Sequence, residues 1–236
     1  MSIRIFQDLD DLSLGAAEFF TMLSKECIAA KGKFSVALGG GNTPRRLHEC
    51  LADVPYVHYV DWSKVHVYWG DERFVPPDDP ASNEGMARET LLSKVGIDPA
   101  NVFPMYRPGS ADEAAAAYDQ LLREHFPGDH TFDLVILGLG EDCHTASLFP
   151  GDDAALESSA WALHTHSPAG VVDRITTTPA CLKRSREMVF LVSGAEKAGP
   201  ADAALSGKPC PAGYVAKAHG AARWFVDRAA AANLKQ

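Results

Sequence analysis

A histidine preceded by two acidic residues follows a glycine turn near the middle of the chain. Residues 138–144 read Gly-Leu-Gly-Glu-Asp-Cys-His, directly after the apolar run 134–137. Imidazole gains and loses a proton near neutral pH, so His144 suits general acid or base catalysis, and Asp142 can orient its ring and fix its tautomer. Open α/β sheets bind ligands beyond the carboxyl ends of their strands. The spacing therefore favours proton transfer on a substrate, although a helix-capping or core histidine remains an alternative.

A second glycine turn, residues 39–41, is followed by Asn42, Thr43 and Pro44. Thr43 as N-cap and Pro44 at the first helical position predict a helix that begins here. Backbone amides at such a turn and helix start suit an anion such as phosphate. Two interpretations are equally open: an anion-binding loop, or a tight strand-to-helix turn that only requires glycine.

Neither glycine turn matches a nucleotide-binding motif. No Gly-Lys-Ser/Thr follows the first turn, which excludes a P-loop. Pro44 and Cys143 stand where the dinucleotide fingerprint requires its third glycine. We therefore predict that the protein uses no nucleotide cofactor.

Cationic side chains stand at two other predicted element ends. Arg73 closes the run 71–73 (Asp-Glu-Arg) after a predicted strand, where it can neutralise a phosphate or pair with an acid. Lys197 lies in the first turn of a predicted helix, where its charge opposes the helix dipole. A bound anion shared between the lysine and the backbone amides would remove that conflict.

Other reactive side chains form no recognisable catalytic or metal-binding frame. His164 and His166 have strand spacing, but two ligands do not make a metal site, and no metal is predicted. Cys143 and His144 are adjacent in the sequence, and the side chains of adjacent residues seldom face each other. We therefore do not predict a catalytic dyad of these two residues. The absence of a Gly-x-Ser-x-Gly elbow weighs against an α/β-hydrolase triad.

Strand and helix patterns alternate along the chain, which predicts one doubly wound, mostly parallel α/β domain over residues 1–236, Rossmann-like without a dinucleotide site. The predicted strands are 3–6, 34–38, 65–69, 133–137, 161–164, 188–192 and 214–216. The predicted helices are 9–30, 44–51, 83–94, 111–124, 179–182, 195–205 and 219–231. Residues 74–82 contain three prolines and are predicted to form a loop, as are residues 169–174.

The composition of the chain indicates which classes of partner the protein binds and in which cellular compartment it works. The net charge of −9 disfavours a broad nucleic-acid surface, because such a surface needs a basic face. Five scattered cysteines predict free thiols in a reducing compartment. No apolar run predicts a signal peptide or a membrane span. We therefore expect a cytoplasmic protein without nucleic-acid or membrane partners.

Several blocks resemble the 6-phosphogluconolactonase family, in family order and over nearly the whole chain. They are 40–44 (Gly-Gly-Asn-Thr-Pro), 71–76 (Asp-Glu-Arg-Phe-Val-Pro), 79–83 (Asp-Pro-Ala-Ser-Asn), 138–151, 174–176 (Arg-Ile-Thr), 194–198 (Gly-Ala-Glu-Lys-Ala) and the closing stretch from Pro211 to Trp224. The resemblance implies hydrolysis of 6-phosphoglucono-δ-lactone in the oxidative pentose phosphate pathway, without metal or cofactor. It implies a phosphosugar lactone as the ligand. We expect the protein itself to be a monomer or a small homo-oligomer.

The resemblance also assigns roles to residues at matching positions. His144 would be the catalytic acid/base, and the predicted catalytic set is His144, Asp71 and Asp142. The predicted substrate-binding set is Gly40, Gly41, Asn42, Thr43, Arg73, Gly140, Arg174 and Lys197. The family usually has glycine where this chain has Cys143, and a positive φ there would strain a cysteine.

Two alternatives belong to other functional classes. The wider superfamily includes glucosamine-6-phosphate deaminase, which needs a base beside the sugar ring, and Asp71 could serve. A sugar-phosphate sensor would bind without turnover and would normally carry a DNA-binding appendage, of which the sequence shows no sign.

Overall fold

Six parallel strands form the central sheet of the computed structural model, which describes residues 1–234. The strand order is β1-β9-β8-β5-β2-β3. The strands are β1 (Ser2–Phe6), β2 (Phe34–Leu38), β3 (Val65–Trp69), β5 (Leu134–Leu137), β8 (Glu187–Val192) and β9 (Arg223–Asp227). Every residue of β2 and β5 is buried, as expected for parallel strands covered on both faces.

Nine α-helices lie among the described residues. They are α1 (Leu9–Lys31), α2 (Asn42–Ala52), α3 (Tyr56–Tyr59), α4 (Asn83–Ala87), α5 (Ala111–His125), α6 (Asp153–Glu157), α7 (Pro179–Leu182), α8 (Ala198–Leu205) and α9 (Pro211–His219). The longest are fixed by local signals: Gly32 in the left-handed conformation ends α1, and a Ser110–Glu113 capping box begins α5. None of the helices is long and apolar enough to span a membrane.

A small antiparallel sheet adjoins the carboxyl edge of the central sheet. It contains β4 (Asp71–Arg73), β7 (Asp173–Thr177) and β6 (Ala162–His166), in the order β4-β7-β6. Gly70 connects β3 to β4, donates its N–H to the carbonyl of Leu38 and accepts the N–H of Thr177. The two sheets are therefore joined at the end of β2.

The position of the binding site follows from the strand order. From β2 the chain moves to β3 on one side, and it then returns to place β5 on the other side. This reversal opens a crevice between the carboxyl ends of β2 and β5, where doubly wound sheets bind ligands. The two glycine turns, residues 39–41 and 138–140, follow these two strands.

The predicted α/β class and mostly parallel sheet are confirmed, but the carboxyl-terminal prediction is wrong. Residues 214–216 lie inside helix α9, not in a strand. The predicted helix 219–231 does not form, because α9 ends at His219, strand β9 follows at Arg223–Asp227, and residues 228–231 form a turn. Pro211 at the first helical position begins α9, and Gly220 in the left-handed conformation ends it. Trp224 then starts a buried run that pairs with both β1 and β8.

Smaller corrections concern element boundaries near the site. Helix α2 has Gly41, not Thr43, as its N-cap. Residues 169–174 are not entirely loop, because β7 begins at Asp173 and places Arg174 in a sheet. The predicted helix 83–94 is α4 followed by a π-helical turn at Arg88–Leu92, and the predicted helix 195–205 is a 3₁₀ turn, Ala195–Lys197, followed by α8.

Candidate active site

A cavity of about 810 Å³ opens in the crevice at the carboxyl edge of the central sheet. Its walls come from the loops after β2, β5 and β8 and from the small sheet. All eleven residues of the predicted catalytic and substrate-binding sets lie around this one cavity. The chain thus brings together side chains that are separated by more than 150 positions in the sequence.

Asp142 and His144 form a hydrogen-bonded pair in the cavity wall. Oδ1 of Asp142 lies 2.5 Å from Nδ1 of His144 and also accepts the backbone N–H of His144 at 3.1 Å. Burial alone would raise the pKa of Asp142, but these bonds from His144 outweigh it and the pKa is lowered. A carboxylate can only accept, so Nδ1 carries the proton and Nε2 is the nitrogen available as a base.

The turn that carries His144 has a demanding backbone geometry. Gly140 donates its N–H to the carbonyl of His144 at 2.9 Å, and Cys143 donates to the carbonyl of Gly140 at 3.1 Å. Cys143 has φ 68°, in the left-handed region that glycine adopts without strain. The turn has therefore kept the geometry typical of glycine although a cysteine occupies the position.

Asp71 is buried beside the pair in a network of polar contacts. Its Oδ2 accepts a hydrogen bond of 2.6 Å from Ser147 Oγ, and its backbone carbonyl accepts from Asn83 Nδ2 at 2.9 Å. Asp71, Asn83 and Ser147 are all less than a tenth exposed. These contacts hold the Asp71 carboxylate in one orientation.

Glu72 organises the segment beneath this network. Its carboxylate accepts the backbone N–H groups of Asn83 and Glu84, both at 2.7 Å, and that of Arg73 at 2.8 Å. Burial raises the pKa of Glu72 to about 7, while the three amides act in the opposite direction. Glu72 thus joins β4 to the start of α4 and places Asn83.

Two arginines face each other across the small sheet. Arg73 on β4 is paired in register with Arg174 on β7. Each guanidinium is anchored by one backbone carbonyl: Arg73 Nη1 donates to Ala81 at 2.6 Å, and Arg174 Nε donates to Val171 at 2.8 Å. Burial, followed by the charge of Arg73, lowers the pKa of Arg174. Adjacent guanidiniums that line a cavity favour an anionic ligand.

Lys197 reaches the cavity from the loop after β8. It ends the 3₁₀ turn and is the N-cap residue of α8, so its charge stands at a helix start, as the sequence indicated. Gly194, with φ 108°, precedes the turn and donates its N–H to Asp227.

On the loop after β2, a Cβ at Gly40 would lie 1.9 Å from Asn83 Oδ1, so packing requires glycine there.

Sequence reasoning did not single out Asn83, Ser147 or Phe149. Asn83 and Ser147 hold Asp71, and the Phe149 ring lies 4.9 Å from the His144 ring, between centroids. The sequence did carry a sign of these residues, because all three lie inside the blocks that resemble the 6-phosphogluconolactonase family. Short polar residues in a buried loop indicate that the loop holds a neighbouring side chain by hydrogen bonds. Local spacing does not reveal which side chain that is.

The histidines of the small sheet form a separate cluster. Ligand atoms of His164, His166 and Asp173 lie within 4.8 Å of one another. Both ring nitrogens of His164 are already engaged, by Asp112 at 3.0 Å and by Asp173 at 2.9 Å. Hydrogen bonding therefore accounts for the cluster without a metal ion.

Comparison with known proteins identifies the family of this chain. The family model described as glucosamine-6-phosphate isomerases/6-phosphogluconolactonase matches residues 7–224. The 6-phosphogluconolactonase of Mycobacterium tuberculosis is 39% identical over 99% of this chain and 98% of its own length. That of Synechocystis is 38% identical over 89% and 88% of the two chains.

Solved structures show the same fold. The 6-phosphogluconolactonase of Trypanosoma brucei superposes with a TM-score of 0.89 at 29% identity, covering 99% of this chain and 98% of the other. A monomeric glucosamine-6-phosphate deaminase superposes with a TM-score of 0.85 at 20% identity, over 99% and 100% of the chains, which shows a shared fold alone. The chain is therefore an enzyme of the glucosamine-6-phosphate isomerase/6-phosphogluconolactonase family.

Proposed function

We propose that this enzyme hydrolyses 6-phospho-D-glucono-1,5-lactone to 6-phosphogluconate, as a step of the oxidative pentose phosphate pathway. The observation that carries the proposal is the Asp142–His144 pair, which shares one cavity with the side chains of Arg73, Arg174 and Lys197. A proton-transfer group near three cations suits a phosphorylated substrate with a hydrolysable bond. The relatives named 6-phosphogluconolactonase, at 38% and 39% identity, support the choice of lactone.

His144 acts first as a base and then as an acid in the proposed mechanism. Nε2 takes a proton from water as the water oxygen attacks C1 of the lactone. The imidazolium then gives that proton to the ring oxygen as the C1–O bond breaks, which yields the open carboxylic acid. General acid–base catalysis of this kind typically contributes ~10²–10⁴ in rate. Asp142 keeps the proton on Nδ1 and stabilises the imidazolium.

The cations position the substrate. Arg73, Arg174 and Lys197 bind the phosphate and thereby hold C1 near His144. Binding of the phosphate, at a distance from the reaction, thus orients the reacting carbon. The start of α2, with Gly41, Asn42 and Thr43, adds backbone and side-chain donors to the sugar site. The Gly140 N–H is already occupied by the His144 carbonyl. We therefore assign oxyanion stabilisation to other donors of the cavity.

Deamination of glucosamine 6-phosphate is the second candidate, favoured by one observation. Asp71 lies in the cavity wall with its carboxylate oriented by Ser147, as a base beside a sugar ring would require. Against this candidate, the family relatives with the higher identities bear the lactonase name. In the lactonase, Asp71 would orient the substrate or its water.

The decisive experiment follows acid release from freshly generated 6-phosphogluconolactone, with the spontaneous hydrolysis rate subtracted. A parallel assay follows ammonia release from glucosamine 6-phosphate. The proposal expects enzyme-dependent acid release and no ammonia. Ammonia release without acceleration of lactone hydrolysis would transfer the assignment to the deaminase. Binding of both compounds without turnover would instead indicate a sensor.

Some predictions about the cellular setting remain part of this proposal. We propose a cytoplasmic enzyme that acts as a monomer or small homo-oligomer on a phosphosugar lactone. Relatives from rice are named chloroplastic, and the chain spans 76% of their length. Sizing by light scattering and fractionation of the source cells would test the two points separately.

A further inference from the structure

Two free thiols lie in contact beside the catalytic pair. Sγ of Cys143 is 2.7 Å from Sγ of Cys210, although the residues are 67 positions apart. A disulfide bond is about 2.0 Å long, so the sulfurs are already near bonding distance. The other three cysteines, at positions 27, 50 and 181, are buried. The fold therefore brings together two cysteines that lie far apart in the sequence.

The contact joins the catalytic turn to the start of a helix. Cys143 precedes His144 directly, and its carbonyl accepts the N–H of Ala212 at 3.2 Å. Cys210 is the N-cap residue of α9, two positions before Ala212. A bond between the sulfurs would therefore reinforce a contact that the backbone already makes.

We propose that Cys143 and Cys210 form a reversible disulfide that locks the turn carrying His144 onto the start of α9. This modification site is independent of the reaction proposed above. It also gives a reason for cysteine at a position with φ 68°, where an L-residue is strained unless another gain offsets the strain.

The chemistry requires a two-electron oxidant, and a hydroperoxide supplies it. Cys210, which is half-buried, is the more accessible thiol, whereas Cys143 is buried. The Cys210 sulfur attacks the outer peroxide oxygen, which gives a sulfenic acid and releases an alcohol, or water from hydrogen peroxide. The Cys143 sulfur then attacks the sulfenic sulfur and displaces water. The two thiols lose two protons and two electrons in total, and a dithiol reverses the process.

Burial favours this order of events. Burial raises the pKa of the Cys143 thiol well above its ordinary value, and its hydrogen bond with Cys210 acts in the same direction. A thiol of this kind reacts poorly with an oxidant in solvent, because the thiolate is the nucleophile. In the resolving step this disadvantage is offset by proximity, because the two sulfurs are already 2.7 Å apart and the departing hydroxyl of the sulfenic acid takes up the Cys143 proton as water.

The bond should stabilise the fold without displacing His144. Closing the gap from 2.7 Å to about 2.0 Å moves the sulfurs together by less than about 1 Å. The backbone of the turn remains held by the bonds to Gly140 and Ala212. A cross-link over a loop of this length also restricts the unfolded chain, so the melting temperature should rise by about 5–10 °C.

The test treats the full-length protein with hydrogen peroxide, alkylates the remaining thiols and maps the peptides without reduction. We expect one linked peptide pair, containing Cys143 and Cys210, that dithiothreitol separates. The melting temperature should rise on oxidation and return on reduction. Cys210→Ser should form no such pair and show no oxidation-dependent rise, with its activity within about twofold of wild type.

The variant Cys143→Gly provides a second control, because it removes the thiol and supplies the residue that a positive φ favours. It should behave as Cys210→Ser does on oxidation. Alkylation of both cysteines after peroxide treatment would overturn the proposal. A linkage of either residue to another cysteine, or an unchanged melting temperature in the linked protein, would also overturn it.

Discussion

The imidazole of His144 occupies the space in which any side chain at Gly140 would lie. A Cβ built at Gly140 would stand 2.1 Å from Nδ1 of His144 and 2.7 Å from Oδ1 of Asp142. These distances are far below van der Waals contact, so the Asp142–His144 pair and a side chain at position 140 exclude each other. The position of the Asp142–His144 pair therefore requires glycine at position 140.

Gly140→Ala should therefore disable the enzyme with little change in substrate affinity. The added methyl must displace the ring, and a displacement of about 1 Å can cost ~10²-fold in kcat. Gly199→Ala is the matched control, because a Cβ there meets nothing within 4 Å. Steady-state kinetics of both variants checks the point. Wild-type kcat in Gly140→Ala would contradict the assigned position of the ring.

Lys197→Ala should mainly raise KM. In the proposed substrate complex the lysine makes a charge-assisted contact to the phosphate, and losing such a contact costs about 1.5–3 kcal/mol, or roughly 10–150-fold in KM. Lys208→Ala removes a lysine that pairs with Asp202 outside the cavity and should leave KM unchanged. An unchanged KM in Lys197→Ala would remove Lys197 from the phosphate site.

The left-handed conformation of Cys143 predicts a difference between two small substitutions. Cys143→Ala and Cys143→Gly both delete the sulfur, and glycine also removes the Cβ and frees the unfolded chain. Alanine retains the cost of a left-handed residue, about 1–2 kcal/mol, whereas glycine does not. The glycine variant should therefore be more stable by about 1 kcal/mol in urea unfolding under reducing conditions. Equal stability of the two variants would contradict a strain of this size at position 143.

His164 should make the stability depend on pH. Burial alone would lower its pKa, but its bonds to Asp112 and Asp173 outweigh burial, so the pKa is raised. The folded state then binds the proton more tightly than the unfolded state. The contribution of protonated His164 to the stability of the fold is complete below the ordinary histidine pKa of about 6.5. It disappears as the pH rises through the pKa of His164 in the folded state, which is higher.

Unfolding of His164→Gln in urea at pH 5.5 and pH 8.5 measures this effect. The variant should lose more stability relative to wild type at the lower pH than at the higher pH. His130→Gln changes an exposed histidine and should show no such difference. A loss that is equal at both pH values would show that the two carboxylates do not stabilise the charged ring.

Much of the fold could be predicted because parallel strands are simple sequence signals. The runs that form β2, β3 and β5 are short, apolar and followed by glycine or acidic turns, and the structure places each within about a residue of its predicted bounds. The carboxyl-terminal prediction failed because alanines and charges on both sides of Trp224 imitate a helix. Tertiary pairing with β1 and β8 decides the strand there, and local periodicity cannot show it.

The sequence located most of the residues that line the cavity, but it did not locate the residues that support them. Residues that follow strand ends, such as His144 and Arg73, could be located because topology brings strand ends together. The partner of Cys143 could not be found from sequence, since Cys210 is 67 positions away and reaches it only through α9. The same holds for Ser147, whose role depends on contact with Asp71.

The most direct test of the account compares wild type, His144→Ala and the exposed-site control His166→Ala in lactone hydrolysis above the spontaneous rate. Binding of 6-phosphogluconate is measured in parallel by calorimetry. If His144 transfers the proton, His144→Ala should lose ~10²–10⁴ in kcat while product affinity changes little, and His166→Ala should match wild type. Wild-type turnover by His144→Ala, with the fold intact, would contradict the central claim.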